Sequence, residues 1–289
     1  MPQQPEIDEF EQNYKEYEEA YLPRSSAQKH PVAIITGGQP GSGKSGLTAS
    51  AKDDLHDKGG YVLVDADKLR ERHPNYTSLM ESNDKLAANI THPVASAWSR
   101  RLTEVGIDGR RNLIIDQTSR DPEALSKRTE QLRQAGYRVE LRVKAVNPLQ
   151  SEQFIRLRYE DKKVEKGIGR YTPQENHDTT FEGIPNSIER IEQERAVDRV
   201  VIYDVNDRQI YENRLINGKW EHKPAGREAL EAERSRPFNA IERQKFTQIY
   251  EKIIGLMEKR RAPTAEISSV KARWQEAEKQ LERLTIQQA

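Results

Sequence analysis

Residues 38–45 read GQPGSGKS: a glycine, four residues, a second glycine, then a lysine and a hydroxyl. Each residue type has a task in that order. Gly38, Gly41 and Gly43 let the backbone take positive φ and approach a ligand closely, so that successive N–H groups turn inward onto phosphate oxygens. Gln39, Pro40 and Ser42 complete the cradle, Lys44 bridges β- and γ-phosphates, and the Ser45 hydroxyl ligates the Mg²⁺ that joins the same groups. Carboxylates stand where later apolar runs stop, Asp65 and Asp67 after YVLV and Asp116 after NLII. Acids at the ends of parallel strands face the ligand crevice, which suits Asp116 to a Mg²⁺ shell or a substrate hydroxyl. The other reading of each of these acids is helix capping, weighed more for Asp65 and Asp116 than for Asp67. Arg156, Arg158 and Arg170 supply guanidinium groups, the last on a segment punctuated by Gly167 and Gly169. Arginines on a closing segment offset the charge of a migrating phosphoryl group; taken singly, each also fits a surface ion pair.

These residues need a frame that brings strand ends together. The five apolar or β-branched residues 32–36 read as a buried strand running into the loop, and residues 47–55 as a helix after it. Residues 61–65, 112–116, 137–146 and 199–204 read as four further strands, with helices over residues 122–134 and 151–166 and another opening at Pro173. The alternation of strand and helix predicts an α/β fold: a P-loop kinase-like parallel sheet flanked by helices. Residues 77–105 have helical spacing with an expected interruption near His92 and Pro93. Residues 209–220 read as a hairpin turning at Asn217-Gly218. Phe10, Tyr14, Tyr17 and Tyr21 make one aromatic stripe on a helix over residues 3–22, expected to pack on the following domain or to serve a partner or self-regulation. Residues 22–30 read as a linker. In the tail, apolar positions recur at threes and fours on both sides of Pro263, predicting an antiparallel helical hairpin that packs on itself or a partner, without chemistry. The expected divisions are an N-terminal helix and linker over residues 1–30, a kinase domain over 31–222 and a C-terminal helical extension over 223–289.

The chain has 289 residues, 34% hydrophobic and 33% charged, with a formal net charge of zero and no cysteine. Zero net charge leaves no broad electrostatic footprint for nucleic acid, so a nucleic-acid partner is not expected. Disulfides and thiolate metal sites are excluded. No apolar run approaches the ~20 residues that span a bilayer, and the acidic start is no secretory leader, which places the expectation in the cytoplasm, away from membranes.

Several segments together resemble the zeta toxin family, the kinase half of bacterial epsilon/zeta-type toxin-antitoxin modules. They are GGQPGSGKS, DADKLRERHPNY (residues 65–76), IIDQTSR (114–120), RLRYE (156–160) and GRYTPQENHD (169–178). The resemblance covers roughly residues 31–211. It implies ATP- or GTP-dependent, Mg²⁺-assisted phosphorylation of the 3′-hydroxyl on the amino sugar of UDP-N-acetylglucosamine, and a small helical antitoxin as partner. Carried over by position, Lys44 and Ser45 hold phosphates and Mg²⁺, Asp67 is the general base, and Arg158 and Arg170 stabilise charge. Asp116, Thr118 and Arg120 fall on the substrate-contacting segment. The sequence departs from the family where Asp116 replaces glutamate, where Ser119 replaces glycine, and where Arg100 aligns with a glutamate near the sugar. Two other readings keep the phosphate loop: a kinase of another nucleotide sugar, small-molecule hydroxyl or polynucleotide 5′-hydroxyl, and a non-catalytic NTP-binding switch protein.

Overall fold

The computed structural model describes residues 7–287. Strands β1 (Val32–Gly37), β2 (Val62–Asp65), β3 (Leu113–Asp116), β4 (Arg138–Lys144) and β5 (Arg199–Tyr203) pair in parallel. Two more, β6 (Gln209–Ile216) and β7 (Lys219–Trp220), extend the sheet antiparallel, giving the order β2-β3-β1-β4-β5-β6-β7. The phosphate-loop strand thus lies centrally, with acid-ended β3 beside it and β2 beyond. Asn217 (φ 50°) and Gly218 (φ 74°) make the expected hairpin turn between β6 and β7.

The helices are α1 (Ile7–Tyr21), α2 (Lys44–His56), α3 (Ala66–Arg70), α4 (Tyr76–Asp108), α5 (Pro122–Gln134), α6 (Pro148–Lys166), α7 (Gln174–Glu194), α8 (Gly226–Ser235), α9 (Ala240–Lys259) and α10 (Thr264–Gln287). They cover both faces of the sheet, which is why the strands are nearly unbroken apolar runs. On β4 the polar alternation is buried as well. Val139, Leu141 and Val143 face the main core, while Glu140, Arg142 and Lys144 are sealed on the other side. Arg142 reaches Glu140 at 2.6 Å and Asp54 of α2 at 2.5 Å, and Arg199 of β5 reaches Glu140 at 2.9 Å. Buried charges persist only when paired in this way.

The aromatic stripe of α1 packs on the domain: Tyr14 and Tyr17 are fully buried in the main core, and Phe10 meets His73 and Trp98 edge-on. The first residues of that expected helix, 3–6, lie outside the described residues. The expected linker over residues 22–30 is not slack. It contains a 3₁₀ turn (Leu22–Arg24) and two β-bridges, Ser25 to Gly60 and Ala27 to Arg111. Arg111 also donates to the carbonyls of Leu22 and Ser25, since backbone polar groups lying against a domain must find partners.

The interruption expected at His92-Pro93 falls elsewhere. Pro93 lies inside α4, and the helix breaks at Asn83 (φ −160°, ψ 89°). The following residue, Asp84, turns inward to accept the Gly169 N–H at 3.2 Å and pair with Lys163 at 2.7 Å. Those bonds compensate the lost helical geometry.

In the tail, α9 and α10 form the expected hairpin around a core of its own, with Phe246, Ile253, Met257 and Leu281 fully or nearly fully buried. Each such burial is worth about 1.5–3 kcal/mol. The hairpin seats on α6: Gln153 donates to the Phe246 carbonyl at 2.6 Å, and Arg260 reaches Glu160 at 2.5 Å. Helix α8, which carries no marked signal in the sequence, belongs with the main core through Leu230. No helix among the described residues is long and apolar enough to cross a membrane.

Candidate active site

β1 ends at Gly37 and the chain turns through residues 38–43 into α2, which starts at Lys44. Gly41 has φ 78°, and a Cβ there would lie 2.0 Å from the carbonyl oxygen of Ser151. Only glycine fits, because the loop rests directly on the first turn of α6. At Gly43 (φ 80°) a Cβ would meet nothing within 4 Å, so the loop is open on that side. Lys44 Nζ donates back across the loop to the Gly38 carbonyl at 2.9 Å, and the Ser42 hydroxyl is buried without a partner among the described residues. A cation, a buried unpartnered hydroxyl and the positive end of a helix are brought together in one loop, a set of groups that fits a polyphosphate. Gly41→Ala should cost at least about 2 kcal/mol through backbone strain alone; a thermal melt unchanged from the parent would contradict this packing.

The acids divide into two roles. Asp65 caps α3, accepting the N–H groups of Asp67 at 2.9 Å and Lys68 at 3.3 Å, which is the capping role weighed for it from sequence. That cap aims Asp67 between two guanidinium groups, Arg70 at 2.8 Å and Arg170 on the other carboxylate oxygen. Burial pushes the Asp67 carboxyl up, but Arg170, Arg70 and Lys44 together outweigh it and hold the group below the ordinary carboxylate range. Asp65 goes the other way, pushed up by burial and by the charges of Asp116 and Asp67.

Asp116 stands beside Asp65 and Thr36 across the strand ends and accepts a hydrogen bond from Thr48 of α2 at 2.9 Å. The Lys44 ammonium is depressed by burial, raised by Asp116 and Asp67, and depressed further by Arg170 and Arg158. Five of the residues singled out from sequence therefore share one electrostatic field. Arg158, on α6, donates to Thr172 at 3.2 Å and is depressed by burial and by Arg170. Arg156 is turned away towards the buried Glu160 at 3.9 Å, beside Arg260. Ser45 is exposed on the first turn of α2. With Asp116 it offers oxygen donors of the type Mg²⁺ takes.

Thr118 accepts the Gly38 N–H at 3.2 Å, joining the 116–120 segment to the phosphate loop. Arg120 is exposed, and its charge acts on His92 together with those of Arg70 and Asp67. Ser119 is buried with φ 55°, its hydroxyl donating to the Thr36 carbonyl at 3.2 Å. A left-handed backbone accounts for glycine in the family pattern. Arg100 is exposed on α4 and its charge acts on Arg128 of α5.

Residues 18–216 match the model of the Zeta toxin family. The chain belongs to the Zeta toxin family. Among curated relatives, Toxin PezT of Streptococcus pneumoniae is 28% identical over 65% of this chain and 74% of its own length. Toxin zeta of Streptococcus pyogenes is 26% identical over 70% of each. A solved structure of the PezAT chromosomal toxin-antitoxin system of Streptococcus pneumoniae superposes with TM-score 0.75 at 22% identity, over 89% of this chain and 99% of that one. The AvrRxo1-ORF1:AvrRxo1-ORF2 complex with ATP gives TM-score 0.54 at 13% identity, over 93% and 84%. The fold is P-loop kinase-like, as the strand-helix alternation predicts.

Within this Zeta toxin chain, sequence reasoning missed four neighbours of the site: Arg70, Thr48, Thr172 and His92. All are ordinary helix or loop residues whose roles come from what the fold sets opposite them. Gln39 differs from its expected surroundings. It is fully buried, donating to the Val146 carbonyl at 2.8 Å and to Ser151 at 3.3 Å, so its side chain faces the interior and only its backbone lines the loop. Ser151 also meets His177 Nε2 at 2.8 Å, and His177 Nδ1 meets Asp178 at 2.9 Å. Glu152 lies near that pair but is taken by Arg273 and Gln174. The group is a brace between α6 and α7.

Proposed function

We propose that the protein is an ATP- or GTP-dependent kinase that phosphorylates the 3′-hydroxyl on the amino sugar of UDP-N-acetylglucosamine and acts as the toxin of a toxin-antitoxin pair. The observation that carries this reading is the carboxylate of Asp67 held by Arg70 and Arg170 in the same field as Lys44. A switch protein without an acceptor has no use for that carboxylate. Phosphoryl transfer needs a proton acceptor for the attacking hydroxyl and fixed positive charge around the migrating group.

In the proposed reaction the phosphate loop and Lys44 bind the triphosphate; Ser45 and Asp116 are the residues that would hold Mg²⁺, and the ion would offset charge on the phosphates. The acceptor hydroxyl passes its proton to Asp67 as its oxygen bonds to the γ-phosphorus and the β,γ-bridging P–O bond breaks. Arg158 and Arg170 stabilise the charge spread over the transferring oxygens. Arg170 has two positions in this scheme. In the free protein it pairs with Asp67 and keeps the base ionised; on moving to the γ-phosphate it uncovers Asp67 and lets its basicity rise. Thr118 and Arg120 line the acceptor side, on the segment bonded to Gly38.

The toxin part rests on membership of the family and on relatives named as toxins, one of them from the PezAT toxin-antitoxin system. The partner proposed is a small antitoxin protein, and the setting the cytoplasm, where nucleotide sugars are made.

The test is incubation of the purified protein with Mg-ATP or Mg-GTP and a panel of UDP-sugars, reading products by mass for one added phosphate. Phosphorylated UDP-N-acetylglucosamine, formed by the parent and absent with Lys44→Ala, is the expected result. Modification of a different sugar or metabolite would keep the kinase and replace the acceptor. Slow NTP hydrolysis alone across the panel would favour the switch reading.

A further inference from the structure

Arg234, near the end of α8, lies beyond the matched residues 18–216 and is 3% exposed. Among the described residues no carboxylate pairs with it. Its Nη1 donates to the Phe181 carbonyl at 2.8 Å, its Nη2 donates to Oε1 of Gln39 at 2.9 Å, and its guanidinium lies over the Phe181 ring at 4.3 Å. The Arg234 carbonyl in turn accepts from Asn147, which caps α6. A buried cation without a carboxylate is costly, and burial pushes this one down to about 9.

Gln39 is the point of contact with the phosphate loop, and its amide is held at both ends. The nitrogen is tied to Val146 and Ser151, the oxygen to Arg234. With the amide fixed, the peptide plane of Gln39 and the entry into Pro40 are fixed too, and these aim the N–H groups of the following glycines. An arginine suits the task because its planar fork reaches the Phe181 carbonyl and the Gln39 amide at once, which a lysine cannot do.

We propose that Arg234 is a positioning residue for the nucleotide, through which the C-terminal segment sets the phosphate loop in its binding conformation. The inference rests on the kinase reading only in taking the loop to bind a nucleotide. Arg234 touches no reacting atom; it acts through Gln39.

The experiment is calorimetric titration of the full chain with Mg-ATP, using Arg234→Met, Gln39→Leu and the double variant, with thermal melts alongside. Losing a buried hydrogen bond from a charged donor should raise Kd about tenfold or more in each single variant. Because both remove the same link, the double variant should be no weaker than the weaker single. In the transfer assay the loss in Arg234→Met should fall on KM for Mg-ATP, with kcat at saturating nucleotide within about twofold. An unchanged Kd in Arg234→Met, or losses that add in the double variant, would overturn the proposal. If Arg234→Met is too unstable to titrate, Gln39→Leu decides, since it cuts the same bond from the loop, together with those to Val146 and Ser151, without changing α8: unchanged Kd there overturns it. Failure of the parent to bind Mg-ATP would overturn the kinase reading and this inference together, whereas binding that Arg234→Met leaves intact overturns this inference alone.

Discussion

Asp67→Asn should lower kcat by about 10³-fold, within the range a positioned base contributes, while Mg-ATP binding stays within about twofold of the parent. Arg70 and Arg170 bond different carboxylate oxygens of Asp67, so the isosteric amide keeps an acceptor for one of them and turns an NH2 towards the other; the Asp65 cap is untouched, so the fold around α3 should survive. What it removes is the capacity to take the hydroxyl proton. Measurement is by single-turnover transfer and by nucleotide titration on the same preparation; turnover near the parent's would dispose of Asp67 as the base.

The pH profile gives a second view of the same group. Asp67 is held below the ordinary carboxylate range, so in the free protein it remains ionised as pH falls to about 4 and is protonated only beyond that. The acid limb of kcat/KM, which reports the free protein, should therefore show no contribution from Asp67 above about pH 4. If Arg170 moves to the phosphate on binding, the carboxyl loses its strongest opposing charge and the acid limb of kcat should sit at higher pH than that of kcat/KM. Coincident limbs would argue that Arg170 stays on Asp67 throughout.

Lys44→Ala should weaken Mg-ATP binding roughly 100-fold, equivalent to about 3 kcal/mol for charge-assisted contacts to phosphate, and reduce turnover further. Lys44 is the cation that reaches across the loop to the Gly38 carbonyl, and its charge also supports the ionised state of Asp67. Its removal should cost little stability, since the ammonium is depressed by burial and the fold spends free energy keeping it desolvated. Titration calorimetry and thermal melting check both halves. Parent-like affinity would move the phosphate site away from residues 38–45.

Local chemistry explains which of these features are legible in the amino-acid sequence. The run from β1 through residues 38–45 into α2 carries its own geometry, because glycine spacing, a preceding apolar strand and a following helix determine where the loop's N–H groups point. The same holds for the Asn217-Gly218 turn, where positive φ at both residues selects the hairpin, and for the α9–α10 pair, whose threes-and-fours spacing survives in its separate core. The sheet's parallel portion follows from apolar runs, several of which end in an acid. The resemblance to the family rests on short motifs such as DADKLRERHPNY and GRYTPQENHD, whose order along the chain is readable directly, and the family match over residues 18–216 bears it out.

Tertiary structure decided what depends on a partner distant in sequence. The sequence leaves Asp65 open between capping and the crevice and does not pair Asp67 with Arg170, 103 positions away; the turn into α3 makes that choice. The break in α4 falls at Asn83 and not at Pro93, because Asp84 finds the Gly169 N–H and Lys163 across the fold, a gain no local propensity encodes. The alternation on β4 could not reveal that its charged face is sealed, since Asp54 and Arg199 arrive from α2 and β5. Arg234, an ordinary arginine in a polar helix by its neighbours in sequence, becomes the contact of Gln39 only when α8 packs back towards the phosphate loop, 195 residues earlier. Glycine, proline and periodicity act on the backbone beside them and so are written in the chain; a charge takes its role from whatever the fold sets opposite it.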